Sequence, residues 1–276
     1  MSGVDPMEKR EPPERSRREG ALRIALPIVV LAIVVIAWDV IVRVNAIPPY
    51  ILPGPGLVVA TLVADWPVLS TSLASTLVTT FDALLLAGAG GIALAVLFNQ
   101  LRIIEYALYP YAVILQVTPI VAIAPLLLIY LPQPAAVLAC AWIVAFFPVL
   151  ANTTLGLRSV DRNLVELFAL YGASRAQILF NLKLPAALPY MLGGLRIAGG
   201  LSLIGTVVAE MAAGTAGAGS GLAFRIVESG YRLNIPRLFA ALLLLSIAGI
   251  AIFFILSLLS HLILRRWHES AVRAEP

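Results

Sequence analysis

The chain has 276 residues, 61% of them hydrophobic and only 12% charged, with a mean hydropathy of +0.97. A soluble domain averages roughly 45–50% apolar and about 25% charged, and a sphere of this length cannot bury the surplus, so a water-soluble fold is excluded and lipid is the second solvent. The net charge of +4 leaves nucleic acid as a reading only if the cations cluster on one surface, and a single cysteine, Cys140, with two histidines, His261 and His268, excludes an internal disulfide, a multi-cysteine metal site and most hydrolytic triads.

Residues 1–23 are polar and disorder-prone, with six cations against five acids and the pair Pro12-Pro13. Ile24 to Val42 forms the first span, interrupted only by Asp39. It is longer than a signal-peptide core of about 7–15 residues and no small-residue cleavage site follows, so it reads as an uncleaved anchor. The Pro- and Gly-rich stretch 47–56 reads as turn, and Leu57 to Leu69 as an interfacial segment with Trp66. Further spans are predicted at about Leu77–Phe98, Leu108–Leu131 (with Pro110, Pro119 and Pro125), Ala135–Leu150, Leu188–Ala213 and Leu238–Leu264. A polar segment from Asn152 to Pro185 separates the fourth and fifth. The rows Ala87, Gly91, Ala95 and Gly205, Ala209, Ala213 let helices approach closely.

Six spans place both termini on one side. With the N-terminus inside, fifteen of the nineteen Lys and Arg residues fall on the cytoplasmic side and only Arg43, Arg225, Arg232 and Arg237 outside. That bias orients the chain and accounts for its basicity without nucleic acid.

Residues 161–185 parse as helix, turn, helix. Asp161 suits an N-cap, Arg162 and Glu166 can pair at i,i+4, and Gly172 sits where a left-handed C-terminal residue is wanted. Ser174 with Gln177 has capping-box spacing, and the second helix is predicted to end before Pro185. Leu164, Val165, Leu167, Phe168 and Tyr171 are too apolar for a solvated loop and must meet either the bundle or a partner.

Glu166, Gly172 six residues on, and Leu182-x-Leu184-Pro185 after nine more resemble the EAA loop of ABC importer permeases. Pro185-Ala186-Ala187-Leu188-Pro189, Gly194-Leu195-Arg196-Ile197-Ala198, Ile51-Leu52-Pro53-Gly54-Pro55, Phe147-Pro148-Val149-Leu150-Ala151-Asn152-Thr153 and Val207-Val208-Ala209-Glu210-Met211 resemble the nitrate, sulfonate and taurine branch. The likeness runs from residue 50 to 262. It implies an all-α inner-membrane permease of the type I importer fold, with a permease domain over 24–264, a core over about 70–258, a coupling loop over 154–187 and a short cytoplasmic tail over 265–276. It also implies a dimer of permeases, a separate cytoplasmic ABC ATPase carrying ATP and Mg, and a periplasmic or lipid-anchored binding protein. The coupling residues it implies are Glu166, Leu167, Phe168, Gly172, Leu182, Leu184 and Pro185. Leu167 and Phe168 stand where the family has two alanines, which implies a docking groove shaped for bulkier residues. The branch implies a small anion such as a sulfonate, taurine, nitrate or bicarbonate, with a pyrimidine-type vitamin precursor as the alternative.

No G-x-x-x-x-G-K-[ST] occurs, so ATP hydrolysis is expected on another polypeptide and no cofactor in this chain. The glycine cluster 214–221 reads as an extracytoplasmic loop or re-entrant segment. Among intramembrane charges, Asp39 and Asp82 are expected near the outer ends of their spans, where water is close. Glu210 and Arg196 are the candidates for the translocation path, each against a structural reading: for Glu210 a buried hydrogen-bonded carboxylate. Arg225, Arg232 and Arg237 suit interface anchoring first, with docking of a binding protein or attraction of anions as the alternatives. An ion-gradient secondary transporter working through Asp82 and Glu210 is the rival reading, but it leaves the Gly172–Pro185 pattern unexplained.

Overall fold

The computed structural model describes residues 13–214 and 220–265. The first twelve residues of the polar tail, residues 215–219 of the glycine cluster and the tail from 266, with His268, lie outside the described residues. The elements run α1 (Pro13–Val44), α2 (Pro55–Ala64), α3 (Trp66–Gln100), α4 (Arg102–Val117), α5 (Ile120–Tyr130), α6 (Gln133–Arg158), α7 (Arg162–Leu170), α8 (Arg175–Ile178), a π-helical turn (Leu179–Lys183), α9 (Leu184–Ala213), α10 (Leu222–Tyr231) and α11 (Ile235–Leu264). Among the described residues five helices are long and apolar enough to cross a membrane, and α4 with α5 makes a sixth crossing if the bent pair is one span.

Several boundaries differ from the sequence expectation. The first helix starts at Pro13 rather than after a disordered tail, because Glu, Arg, Ala and Leu in residues 14–23 are good helix formers. Pro55, read as turn, opens α2, its missing N–H harmless in the first turn. The second span begins at Trp66, not Leu77: Ser and Thr in its first turns back-bond to carbonyls four residues earlier, as Thr71 does to Pro67 at 2.8 Å, and stay helical despite low hydropathy. The third span is two helices meeting at 103°. Pro119 has no N–H and pushes Thr118 out of the helical region, to ψ 124°, so the ladder stops there.

The centre of the bundle is the α6–α9 pair, flanked by α3, α5 and α11. Small residues set its closeness. A Cβ on Gly205 would lie 2.8 Å from Ala141 Cα, one on Gly194 2.9 Å from the Pro148 carbonyl oxygen, and one on Gly156 2.8 Å from Tyr190 Cβ. On α3 the row Ala87, Gly91, Ala95 is buried, and Gly91 abuts Val149 and Leu150 of α6. Both small-residue rows therefore pack inside the subunit. By contrast α1 is apolar and exposed almost all round, touching the bundle near Trp38, whose ring lies 5.7 Å from that of Phe239.

Candidate functional site: the α7–α8 loop and the latched far end

The loop between α6 and α9 is built from local signals. The Asp161 carboxylate accepts from Asn163 N at 2.9 Å and caps α7, and Arg162 Nε pairs with Glu166 at 2.8 Å on the exposed face. At the other end Gly172 N donates to Ala169 O and Ala173 N to Phe168 O, with Gly172 at φ +77°, a Schellman ending. Ser174 and Gln177 complete the capping box in both directions. The predicted helix–turn–helix is thus present, with one correction: the second helix does not end before Pro185. It passes through a π turn, in which Leu184 N donates to Leu179 O, and runs on into α9. The wider turn shifts the hydrogen-bond register, and Pro185 falls in the first turn of α9 where no N–H is needed. The segment from Asn152 is also less open than expected, since α6 continues to Arg158.

The loop is held at its base and free at its tip. Leu179 is buried with Phe98, Leu157 and Ala187. Lys183 Nζ donates to Asn99 Oδ1 at 3.0 Å, and Arg158 pairs with Glu105 of α4. No residue of α7 is buried: Leu164 and Leu167 are exposed, and Leu170 and Tyr171 are 85% and 86% exposed. Leu167, Phe168, Tyr171, Gly172, Ala173, Gln177 and Asn181 line an open cleft of about 490 Å³. Glu166 and Leu167 are exposed and Phe168 half-buried, whereas Leu182, Leu184 and Pro185 are half-buried in the base. The structure therefore gathers Leu167, Phe168 and Gly172 at the cleft and separates them from the Leu182–Pro185 group. Of the apolar face, Val165 and Phe168 are half-buried while Leu164, Leu167, Leu170 and Tyr171 are exposed, so the bundle covers it only in part.

At the opposite end Glu210 of α9 is 7% exposed. Thr76 Oγ1 of α3 donates to its carboxylate at 2.9 Å, and Ala223 N donates to Oε2 at 3.1 Å. Leu222 N donates to Thr76 Oγ1 at 2.9 Å. The carboxylate so caps the N-terminus of α10, where the helix dipole favours negative charge. Gly221 leaves the space the carboxylate occupies, since a Cβ would lie 1.9 Å from Glu210 Oε1 and one of the two would have to move. Arg225 Nε donates to Ser72 Oγ at 3.1 Å and its Nη1 pairs with Glu228, while Arg237 Nε meets Asp65 at 2.6 Å. Of the two readings of Glu210, the geometry is that of a buried hydrogen-bonded carboxylate. Its partners Thr76, Ala223 and Gly221, and Arg225 with Ser72, carry no local motif and escape sequence reasoning. Arg196 lies towards the loop end of α9, half-buried, its Nε without a hydrogen-bond partner among the described residues. Asp82 is not near a span end, because α3 begins at Trp66 and puts it close to the middle of a 35-residue helix. Asp39 pairs with Arg43 at 2.7 Å near the end of α1. Among the described residues no group of three or more His, Cys, Asp or Glu is placed to hold a metal ion.

Comparison with known proteins identifies the family and the fold. The chain is 31% identical over 240 residues to the formylaminopyrimidine transport permease protein of Halalkalibacterium halodurans, covering 86% of this chain and 94% of that one. It is 30% identical over 246 residues to the putative aliphatic sulfonates transport permease protein of Bacillus subtilis, covering 87% and 85%. A crystal structure of an amino acid ABC transporter with histidines superposes with a TM-score of 0.60 at 19% identity, over 73% of this chain and 97% of that chain, which shows the shared fold. The family model for the binding-protein-dependent transport system inner membrane component matches residues 87–273. The described residues are nearly all helical, with five or six candidate crossings, and this chain belongs to that family: it is a binding-protein-dependent ABC importer permease.

Proposed function

We propose that this chain forms the translocation path of an ATP-driven importer and that residues 161–185 couple that path to a separate cytoplasmic ABC ATPase. One observation carries the reading: α7 presents Leu164, Leu167, Leu170 and Tyr171 to the outside, while the π turn beneath it is pinned into the core by Leu179, Lys183 and the Arg158–Glu105 pair. A push on α7 passes through a short, anchored segment directly into α9. ATP and Mg bind the partner, whose closing and opening move α7 and switch the bundle between inward-facing and outward-facing states. The loop end faces the cytoplasm, consistent with the excess of Lys and Arg on that side.

A second copy of the chain completes the path, and the uncovered apolar flank of α1 supports such a dimer. A periplasmic or lipid-anchored binding protein delivers a small solute to the far end, where Glu210 holds α10 in place. Arg196, with a buried Nε lacking a hydrogen-bond partner among the described residues, is the path candidate on α9. The motif likeness points to an anion such as a sulfonate, taurine, nitrate or bicarbonate. Similarity to a formylaminopyrimidine permease supports a second reading, a pyrimidine-type vitamin precursor. Tagging the chain in its native host and identifying co-purifying proteins by mass spectrometry tests the coupling. A P-loop ATPase in equal amount, lost with Gly172→Val, is expected; a chain recovered alone that transports under an ion gradient refutes the reading.

A further inference from the structure

Asp82 is exposed on the side of α3 turned away from the bundle, and the register of the helices fixes its depth. Thr80 meets Thr206 of α9 at 3.3 Å, and Gly88 lies against Leu195, so Asp82 is level with about Leu203. Leu203 in turn lies against Gly249, the fifteenth residue of the thirty-residue α11. Asp82 therefore stands at mid-depth of the bundle. It has no hydrogen bond or ion pair among the described residues, and it points away from Thr76, Thr80 and the Glu210 group on the buried side of the helix.

A carboxylate facing hydrocarbon at that depth is costly, and such residues face a water-filled cavity or a partner charge instead. The residues around it choose between those. Towards the far end the same side of α3 carries Thr71, Ser75 and Thr79, which with Asp82 follow the i, i+4, i+8, i+11 spacing of one helix face; Val78 lies beside them, and the Thr71 and Thr79 hydroxyls also donate to the carbonyls of Pro67 and Ser75. Towards the loop end that face turns apolar and small, with Leu85, Leu86, Ala89 and Ala93. A polar stripe that descends to mid-depth, ends in a carboxylate and gives way to an apolar section has the form of a wet vestibule with a closed floor.

We propose that this face of α3 lines the water-filled outer half of the translocation path and that Asp82 at its floor is a selectivity residue, favouring uncharged or cationic solutes that offer N–H or O–H donors and opposing anions. The proposal rests on the importer reading and narrows it: of the two solute classes considered, Asp82 favours the heterocyclic one over sulfonate-like anions, because a carboxylate in a narrow, water-filled vestibule with low-dielectric walls lowers the local concentration of anions.

Charged thiol reagents test this without knowledge of the solute. Wild type, whose only cysteine is buried, is the unlabelled control. Val78→Cys places a thiol one turn above Asp82 at a position 60% exposed, and Leu86→Cys one turn below at a position 51% exposed. In intact cells making the whole transporter, Val78→Cys is expected to react with a cationic methanethiosulfonate roughly tenfold faster than with an anionic one. Adding Asp82→Asn should bring the two rates together, and Leu86→Cys should react slowly with both. If Val78→Cys resists both reagents, the face lies against lipid or another subunit and the proposal is overturned. Equal rates that ignore Asp82→Asn overturn the selectivity role, and a Leu86→Cys as reactive as Val78→Cys overturns the floor. None of these readouts depends on the ATPase, so a failed co-purification would count against the coupling reading alone.

Discussion

The hydroxyl of Thr76 on α3 donates to the carboxylate of Glu210 on α9 at 2.9 Å and accepts from the backbone N–H of Leu222 on α10 at 2.9 Å. One side chain thus joins three helices whose contributions lie 134 and 146 residues away in the chain. The hydroxyl's double role, donor to the carboxylate and acceptor from the helix start, makes it the centre of the far-end latch.

Thr76→Val keeps the shape and removes both bonds, leaving a buried N–H and part of a buried carboxylate unsatisfied. The expected loss is about 1–3 kcal/mol, seen as a lower Tm of the purified transporter. Protease cleavage within α10 should become easier while cleavage at the α7–α8 loop is unchanged.

Gly221→Ala inserts a Cβ at 1.9 Å from Glu210 Oε1, so either α10 or the carboxylate must move. The variant is expected to show reduced folded yield, and Glu210→Ala likewise, through loss of the cap. Because both act on one contact, the double variant should be less damaged than the sum of the two. Thermal unfolding of all four forms measures the coupling, and strict additivity would contradict it.

At the opposite end, Gly172→Val separates coupling from folding. A Cβ there meets nothing within 4 Å, so the cost is conformational: a β-branched residue at φ +77° loses about 1–2 kcal/mol, and α7, which buries none of its residues, absorbs it. The bundle's Tm should be almost unchanged while ATPase recovery and uptake fall. Gly172→Asn, which tolerates the left-handed region, should retain more of both.

Gly205→Val is the contrasting case. Its Cβ would lie 2.8 Å from Ala141 Cα and 3.2 Å from the Cys140 carbonyl oxygen, both backbone, so no side chain can swing aside. Separation of α6 from α9 is expected, with overpacking costs of about 1–3 kcal/mol or more and little monodisperse protein on gel filtration.

The sequence by itself determined what depends on near neighbours along the chain. Hydropathy over some twenty residues identified the spans, and the caps around residues 161–177 were legible because each of their hydrogen bonds closes within five residues: Asp161 to Asn163, Ser174 to Gln177, Phe168 to Ala173. Only the tertiary structure decided what depends on distant neighbours. The Thr118–Pro119 break was visible as a proline, yet its 103° angle, and the packing of α5 on α6 and α9, are seen only in the fold. Pro185 was a breaker by local rules until a π turn supplied a different register. The sequence alone predicts Asp82 near the outer end of its span and leaves Glu210 between a path residue and a buried carboxylate. The packing of α3 against α9 separates them, turning Thr76 and Glu210 towards each other and Asp82, about one and two-thirds helical turns further on, away from the bundle at its mid-depth. A helix's length and composition say that it crosses; only its contacts say which face is covered and at what depth each residue stands.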